Sequence, residues 1–412
     1  MDKKIKLLVV PDDTSGVFKF REGDPHVYIQ EHYGDEFDVD IVYMRDFPLN
    51  DLVNFFSKYD LIQVHKMFDK EMKIMKIIKF LNIPVIIDID DNFKLGPDHP
   101  LFITAQNEGW SKQIVSHLMA ADYVTTTTPI FAKMIKPYNK NVAVLPNAVN
   151  PDEQQFSTEK TKSDKIRFGL ICGSTHMKDI ELMQKLDILP QEIRDKMQFV
   201  LCGFDTNGTS TIYHKDTGQV ETRPIRPEES VWCKYESFLT SDYKLIDPQH
   251  KDFLKKYIKG FDDPFENDFY RRFWTRDIQH YATHYQNVDV LLAPLKENDF
   301  NLAKSQLKFV ECGFTNTAII ASGFGPYLID AVPYLEKGNK VNENGNCLLV
   351  DKAKNHKDWA KYIKYLVENP EVIQKLKENL SRDMREKYSL DVVTKKRVEL
   401  YKKIVEEKHK NG

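Results

Sequence analysis

The stretch VDVLLAPLKENDFNLAKSQLKFVECGFTNTAIIAS, residues 288–322, contains two apolar runs separated by a segment with helical periodicity. The first run, VDVLLA, is apolar on both faces, as an interior strand of a parallel sheet is. The second run, TAIIAS, has the composition of another buried strand. Because parallel strands need a crossover between them, the stretch predicts a strand–helix–strand unit of an α/β fold.

The segment between the two runs carries polar side chains along one side. At about 100° per helical residue, four of them fall within an arc of about 80°. One interpretation is a solvated helix face with a Lys/Glu pair three residues apart. The other is a ligand-binding face, since lysines at a helix start suit a diphosphate and a carboxylate can accept hydrogen bonds from a ribose diol. The four residues are Asn301, Lys304, Lys308 and Glu311.

Length and composition favour a two-domain protein of the reducing cytoplasm. The chain has 412 residues, of which 41% are hydrophobic, enough for two ordinary cores. Its 59 Lys and Arg nearly balance 62 Asp and Glu, so a nucleic-acid partner is not expected. The five cysteines are widely spaced without a CxxC pair, which argues against a zinc site and a disulfide framework. No stretch approaches the roughly 20 apolar residues of a membrane span.

Short β-rich runs alternate with helical patterns, which predicts two Rossmann-like parallel α/β domains facing across a cleft. The domains are expected at residues 1–150 and 165–385, with a polar linker at 151–164 and a C-terminal helix at 386–412. An aromatic insertion at about 204–277 has a length typical of functional or partner-facing segments. The strand runs are IKLLVV, FDVDIVYM, DLIQVH, PVIIDI, YVTTTT, VAVLP, KIRFGLIC, MQFVLCG, VDVLLAPL, TAIIAS and NCLLV.

The segment after the first strand, PDDTSGVFKFREGDP, lacks the GxGxxG fingerprint, which argues against a dehydrogenase or an epimerase. Gly16 is its only early flexible position. A loop with Gly16 and Arg21 facing the ligand is one interpretation, and a plain turn with a surface arginine is the other. Further along, TTTTPIFAKMI predicts a helix that starts with a threonine cap and a proline.

Three carboxylates end the run IIDIDDNF, namely Asp88, Asp90 and Asp91, and such a group can bind a metal or act as a base. As a metal motif it is weak, because no histidine lies at ligand spacing within the run. A turn capped by Asp91 and Asn92 is the alternative. His99, in GPDHP, is the nearest imidazole and a candidate for the site.

The segment GSTHMKDIELMQKL, residues 173–186, predicts a small-residue turn that leads from a strand into an amphipathic helix. Its backbone N–H groups would lie at a positive helix end. Gly173 permits close approach, Ser174 adds a hydroxyl, and His176 can meet an anion. A helix cap with a surface histidine is the alternative interpretation.

The run KMFDKEMKIMKIIKFLNIPV, residues 66–85, has lysines every three or four residues with apolar residues between them. It predicts a basic amphipathic helix that makes weak contact with a membrane surface, or an ordinary outer helix of the domain. The lysines are Lys66, Lys70, Lys73, Lys76 and Lys79.

The chain resembles the retaining glycosyltransferases of the GT-B fold, in particular family 4 and its relatives in bacterial surface-polysaccharide pathways. The motifs that carry the resemblance are LPNAVN, GSTHMKD, VDVLLAPL, KSQLKFVECGFTNTAIIAS and NENGNCLLV, in the expected order over most of residues 140–390. By this resemblance Glu311 corresponds to the second glutamate of a paired motif, the one associated with the nucleotide ribose. The first glutamate would stand at Ala303, where Asn301, Lys304 or Ser305 is expected to substitute.

The resemblance implies transfer of a sugar, with retention, from a nucleotide-diphosphate sugar to a glycan or lipid-linked glycan. It implies no metal or cofactor, and a cytoplasmic location, free or peripheral at the inner face of the membrane. A nucleotide-sugar-binding or assembly protein without turnover is the alternative, suggested by Ala303. The expected catalytic residues are Lys304, Lys308 and His99, and the expected donor-binding residues are Gly16, Gly173, Ser174, His176, Asn301, Ser305 and Glu311.

Overall fold

The structure is a computed structural model that describes residues 3–12, 15–66, 71–97, 99, 101–184, 186–205, 208–214, 216, 219–242, 246–247, 249–250, 268–351 and 355–411. The chain forms two units, each with its own six-stranded parallel sheet. The first unit comprises residues 1–152, 297–310 and 384–412, and the second comprises 153–296 and 311–383. The predicted α/β fold with two parallel sheets is therefore confirmed.

The sheet of the first unit has the strand order β2-β1-β3-β4-β5-β6. Its strands are β1 Ile5–Val10, β2 Phe37–Ile41, β3 Leu61–His65, β4 Val85–Ile89, β5 Tyr123–Thr126 and β6 Val142–Val144. Its first helices are α1 Asp24–His32, α2 Leu52–Phe56, α3 Lys73–Phe80, α4 Phe102–Glu108, α5 Trp110–Ala120 and α6 Pro129–Ile135, and a π-helical turn spans Phe18–Gly23.

The sheet of the second unit has the order β11-β8-β7-β12-β13-β14. Its strands are β7 Ile166–Ile171, β8 Met197–Phe204, β11 Tyr270–Trp274, β12 Val290–Ala293, β13 Ala318–Ser322 and β14 Leu348–Val350, and a separate hairpin pairs β9 Thr209–His214 with β10 Gln219–Pro224. The remaining helices of the chain are α7 Met177–Ile180, α8 Gln191–Arg194, α9 Val231–Leu239, α10 Asp299–Leu302, α11 Leu307–Phe314, α12 Asn355–Glu368, α13 Pro370–Tyr388 and α14 Leu390–Asn411.

Local sequence signals explain most of these elements. All five residues of β4 and all four of β12 are buried, as expected for interior strands covered on both faces. At the start of α6, Thr128 Oγ1 accepts a hydrogen bond from the backbone N–H of Phe131 at 3.1 Å, and Pro129 follows the cap. The predicted threonine cap is thus confirmed. Among the helices that the structure describes, none is long and apolar enough to cross a membrane.

The single helix predicted across residues 301–311 is wrong. Helix α10 ends at Leu302, and α11 begins only at Leu307. Two long-range hydrogen bonds stabilise the segment between the two helices. Asn147 donates to Ser305 Oγ at 3.2 Å, and Gln306 donates to the Tyr388 hydroxyl at 2.9 Å. Asn301 and Lys304 therefore do not share a helical face with Lys308 and Glu311.

The long basic helix predicted from Lys66 onward is also wrong. Helix α3 has eight residues and begins at Lys73, while Lys66 lies at the end of β3 beside Asp90. Lys70 lies outside the described residues. The apolar face of α3 packs on the core of the first unit through Met75 and Ile78, as the outer-helix interpretation requires.

Candidate functional site

Charged side chains of the first unit converge at the carboxyl end of its sheet. The π-helical turn after β1 contributes Arg21 and Glu22, and both are buried. Strand β3 ends in His65, which lies opposite Asp88 in the parallel register of β3 and β4. The surface-arginine interpretation of Arg21 is therefore wrong, and the segment around Gly16 is helical where a loop was expected.

Arg21 and Asp88 form a two-point ion pair. Arg21 Nε donates to Asp88 Oδ2 at 2.9 Å, and Nη2 donates to Oδ1 at 2.6 Å. The Thr125 hydroxyl donates to Oδ1 at 2.5 Å, and Arg21 Nη1 donates to the Leu145 carbonyl at 2.5 Å. Two parallel charge-assisted hydrogen bonds fix both side chains in one orientation.

His65 lies among three carboxylates. Its Nδ1 is 3.0 Å from Glu22 Oε1 and 3.4 Å from Asp88 Oδ2, and its Nε2 is 3.5 Å from Asp90 Oδ1. Lys66 forms an ion pair with Asp90. His65 was not predicted as part of this site, because it lies outside the run that holds the aspartates, at the end of the neighbouring strand.

Burial and charge act in opposite directions on these groups. Burial alone would lower the pKa of His65, but the Glu22 charge and the hydrogen bonds of neighbouring carboxylates raise that pKa well above its usual value. Burial alone would raise the pKa of Asp88, but Arg21 and His65 hold it well below its usual range. Burial dominates at Glu22 and raises its pKa despite His65.

A pocket of about 170 Å³ lies beside this cluster, at the ends of β1 and β3. Lys66 has a φ of +40°, an uncommon conformation for a residue with a side chain. Such backbone strain is found most often at functional sites. The pocket is lined by Pro11, Asp12, Tyr43, Arg45, His65 and Lys66, among others.

Residues 297–306 bring several predicted site residues together within the first unit. The His99 ring packs on the Phe300 ring at a centroid distance of 4.7 Å, and Lys304 Nζ is 5.4 Å from the centre of the same ring. Burial and the charge of Lys304 lower the pKa of His99. Asn301 is buried, and its backbone N–H donates to Asn298 Oδ1 at 2.8 Å.

Ala303, which stands where a glutamate was expected from the resemblance in sequence, is fully buried in the apolar core of the first unit. A carboxylate in this position would lose its hydration without a charged partner, at a cost of several kcal/mol. Local packing therefore disfavours a glutamate in this position.

In the second unit, Gly173 and Ser174 are exposed directly after β7. The Tyr235 hydroxyl donates to the Gly173 carbonyl at 3.2 Å and accepts from the His176 N–H at 3.0 Å. His176 Nδ1 lies 2.8 Å from Asp179 Oδ2, so Asp179 orients the imidazole. The predicted turn from a strand into a helix is present, but the helix is shorter than the segment suggested, because α7 has only four residues and is followed by a 3-10 turn.

Glu311, also in the second unit, is 1% exposed. The Tyr281 hydroxyl donates to its Oε1 and the Tyr285 hydroxyl to its Oε2, both at 2.6 Å. Tyr285 is fully buried, whereas Tyr281 is half-buried. Burial and the Glu311 charge raise the pKa of Tyr285, which keeps this hydroxyl protonated as a donor. The sequence around Tyr281 and Tyr285 has no pattern that predicts either residue as a partner of Glu311.

Lys160 forms a hydrogen bond with the backbone of the same tyrosine, Tyr285. Its ammonium donates to the Tyr285 carbonyl at 2.9 Å and to the Thr317 hydroxyl at 2.6 Å. Burial, with the nearby charge of Lys377, lowers the pKa of Lys160 to about 7. Burying the neutral form of Lys160 carries no penalty for desolvating a charge, whereas burying the protonated form does.

We therefore expect the protein to gain stability relative to Lys160→Met as the pH rises from about 7 to 10. In this window the unfolded chain keeps the Lys160 proton and the folded one does not, so the slope is positive, at most about 1.4 kcal/mol per pH unit. Urea unfolding of the parent and of Lys160→Met at several pH values measures this slope. Parallel stability curves would contradict the lowered pKa.

The two parallel sheets and their flanking helices have the architecture of the GT-B class of α/β proteins. Among solved structures, the chain is similar to HepE from Anabaena in complex with UDP, with 11% identity, a TM-score of 0.60, and coverage of 97% of this chain and 100% of that one. It is similar to the catalytic domain of starch synthase IV from Arabidopsis thaliana bound to ADP and acarbose, with 11% identity, a TM-score of 0.60, and coverage of 98% and 100%. A glycosyltransferase from Rickettsia africae has 13% identity, a TM-score of 0.59, and coverage of 98% and 99%.

At such low sequence identities, the structural similarity establishes the fold alone, and the reaction has to be inferred from the residues. No protein-family model matches the chain. No curated protein matches it in sequence.

Proposed function

We propose that this protein is a retaining glycosyltransferase that transfers a sugar from a nucleoside-diphosphate sugar to an acceptor hydroxyl. Its fold is shared with HepE, which has been solved with UDP and glucose and with UDP-glucose. It is also shared with a starch synthase solved with ADP and acarbose. These likenesses support a nucleotide-sugar donor, and a glycan or lipid-linked glycan of a bacterial polysaccharide pathway is the acceptor that we propose.

The observation that carries the proposal is the arrangement at Glu311. Its two carboxylate oxygens each accept a hydroxyl hydrogen bond at 2.6 Å, which is the arrangement that a ribose diol would need. We propose that the ribose shares or takes the position of the half-buried Tyr281 hydroxyl, while Tyr285 stays in place. Gly173, Ser174 and His176 at the exposed turn after β7 are the proposed partners of the remaining donor groups, with Gly16 in the first unit.

The leaving diphosphate needs neutralisation of its charge more than the acceptor needs a strong base. Lys304 and Lys308 are the proposed cations, with Asn301, Ser305 and His99 as polar groups around the donor sugar and acceptor. In this mechanism the leaving phosphate accepts the proton of the acceptor hydroxyl, and no protein nucleophile or metal takes part in the reaction.

A nucleotide-sugar-binding protein without turnover is the second candidate. It is favoured by Ala303, which is buried in the core where the related enzymes place a glutamate near the donor sugar. A thermal-shift screen with UDP, ADP, GDP and their sugars, followed by a hydrolysis and transfer assay, separates the two. Ligand at about 100 times its Kd stabilises a protein by about 2.7 kcal/mol. Binding without turnover would favour the second candidate, and no shift with any nucleotide would contradict both.

Glu311→Gln is expected to weaken nucleotide binding by about 10-fold to 100-fold, because hydrogen bonds to a charged group contribute about 1.5–3 kcal/mol. Isothermal titration with the nucleotide found in the screen measures the change.

Tyr285→Phe is the matched control, since it removes one hydrogen bond of Glu311 but keeps the carboxylate charge. Both variants are expected to lose some stability, and only Glu311→Gln to lose nucleotide affinity. Equal nucleotide affinity in the two variants would assign Glu311 to a structural role.

We also propose weak contact between α3 and an anionic membrane surface at the inner face of the membrane. Phe80, at the end of α3, is 82% exposed, and Lys73 and Lys76 are exposed on the same helix. Lys73 and Lys79 contribute less than Lys76, because they form ion pairs with Glu71 at 2.5 Å and with Asp122 at 2.8 Å. A lysine near an anionic surface contributes about 1 kcal/mol, so the attachment is expected to be salt-sensitive.

Co-sedimentation with liposomes measures this contact. Phe80→Ser combined with Lys73→Gln and Lys76→Gln should abolish pelleting with anionic vesicles at low salt. Lys133→Gln with Lys136→Gln, on the edge of α6, is the control and should leave pelleting unchanged. Equal pelleting of all three proteins would leave α3 as an ordinary outer helix.

A further inference from the structure

Three side chains of the first unit offer ligand atoms for one cation. Glu22, His65 and Asp88 each present one such atom, and the three atoms lie within 4.8 Å of one another. His65 Nδ1 is 3.0 Å from Glu22 Oε1 and 3.4 Å from Asp88 Oδ2. In a tetrahedral site with bonds of about 2.0–2.1 Å, ligand atoms are about 3.3 Å apart. The spacing therefore fits a single metal ion bound between the three residues.

Glu22 is the side chain that points to a ligand. It is 1% exposed, and neither carboxylate oxygen has a hydrogen-bond partner among the residues that the structure describes. A buried charge without hydrogen bonds is costly, and buried polar groups are almost always paired. The contact of Glu22 Oε1 with His65 Nδ1, at 3.0 Å, serves one oxygen only, so Oε2 is open to a further partner.

The surrounding residues orient the three ligands as the outer shell of a metal site does. His65 Nε2 faces Asp90 at 3.5 Å, and Asp90 is held by Lys66. In the tautomer that carries its proton on Nε2, facing Asp90, the Nδ1 lone pair is available to a metal. Asp88 is likewise fixed from outside by Arg21 and Thr125, which donate to it at 2.5–2.9 Å.

The net charge of this cluster and the pocket beside it are also compatible with the binding of a divalent ion. Arg21 and Lys66 each have a carboxylate partner of their own, Asp88 and Asp90. With Glu22 and the neighbouring Asp91, which interacts electrostatically with Lys66 and His65, the cluster has four carboxylates and two permanent cations. A bound divalent cation would therefore reduce the imbalance between the carboxylates and the cations of this cluster. Because His65 also lines the pocket at the ends of β1 and β3, an ion has an entry path.

We propose that Glu22, His65 and Asp88 bind one divalent transition-metal ion, with Zn²⁺ as the expected species. One imidazole and two carboxylates form a ligand set that suits zinc, whereas Mg²⁺ and Ca²⁺ prefer oxygen ligands alone. The ion would bind the π-helical turn to β3 and β4 and so fix the wall of the pocket. This proposal rests on the first unit and does not depend on the proposed transferase activity.

The competing occupant of the same space is a proton on His65, which would make the imidazole a cation between the carboxylates. The two occupants predict different results for Glu22→Gln. If a metal is bound, this substitution removes a ligand and abolishes metal binding. If a proton on His65 is the occupant, the same substitution removes a partner of the buried imidazolium, so it should lower the melting temperature without any change in metal content.

The full-length protein, stripped with a chelator and dialysed, is titrated with Zn²⁺ and, as a spectroscopic probe, with Co²⁺. We expect one Zn²⁺ per chain by elemental analysis, a visible Co²⁺ absorption band, and a rise in melting temperature on addition of Zn²⁺. Glu22→Gln and His65→Gln should each reduce the bound metal from one per chain to none.

His280→Gln is the matched control, because His280 Nδ1 also lies close to a carboxylate, 2.7 Å from Asp277, and no third ligand accompanies this pair among the described residues. It should keep one metal per chain. Absence of Zn²⁺ binding by the parent, or metal content unchanged in Glu22→Gln, would overturn the proposal and assign the cation in this cluster to the His65 proton.

Discussion

Arg21→Met is expected to lower the free energy of unfolding by about 3–5 kcal/mol, because it removes the two charge-assisted hydrogen bonds that compensate the buried charge of Asp88. Both side chains of this ion pair are at most 1% exposed, so water cannot replace the lost partner. Methionine keeps most of the volume of arginine, which separates the loss of charge from the loss of packing. Urea unfolding, monitored by circular dichroism, measures the difference.

Two further variants test the explanation. Arg21→Met combined with Asp88→Asn should recover part of the lost stability, because the second change removes the unpaired charge. Lys178→Met breaks an exposed pair with Glu181 and should leave stability nearly unchanged. A loss in Arg21→Met no larger than in Lys178→Met would mean that water reaches Asp88.

The interior strands were predictable because a parallel strand covered on both faces must be apolar along its whole length. All eleven runs identified in the sequence contain a strand of the structure. Strand β11, with the sequence YRRFW, was missed because it is an edge strand with two adjacent arginines. One of them, Arg272, is buried by pairing with Glu236 at 2.9 Å, a partner 36 residues away that local patterns do not reveal.

The broken helix between α10 and α11 marks the limit of periodicity arguments. The residues between Leu302 and Leu307 fit a helical pattern, but the side chains of Ser305 and Gln306 are bound by Asn147 and Tyr388. Those partners are 158 and 82 residues away in the sequence. Tertiary hydrogen bonds thus override a helical preference of a few tenths of a kcal/mol per residue.

The cluster around His65 was only half predictable. Asp88 was identified because a carboxylate at the end of an apolar strand is unusual, and the same reasoning applied to DLIQVH would have identified His65. Since β3 and β4 are adjacent and parallel, their ends must meet. Arg21 and Glu22 were beyond such reasoning, because a buried π-helical turn has no clear sequence signature.

Lys304→Ala and Lys308→Ala are each expected to lower the turnover of the proposed transferase by more than tenfold, because the leaving diphosphate loses a compensating charge. The break between α10 and α11 puts the two lysines on different elements, so they need not contribute equally. Lys304→Arg and Lys308→Arg keep the charge and should recover much of the rate, whereas Lys133→Ala, an exposed lysine on α6, should not change it. Steady-state kinetics with the donor and acceptor found by screening measure all five variants.

If only one alanine variant is slow, the other lysine belongs to the solvated surface. If neither is slow, these lysines do not neutralise the diphosphate, and the leaving group must be stabilised by the turn after β7.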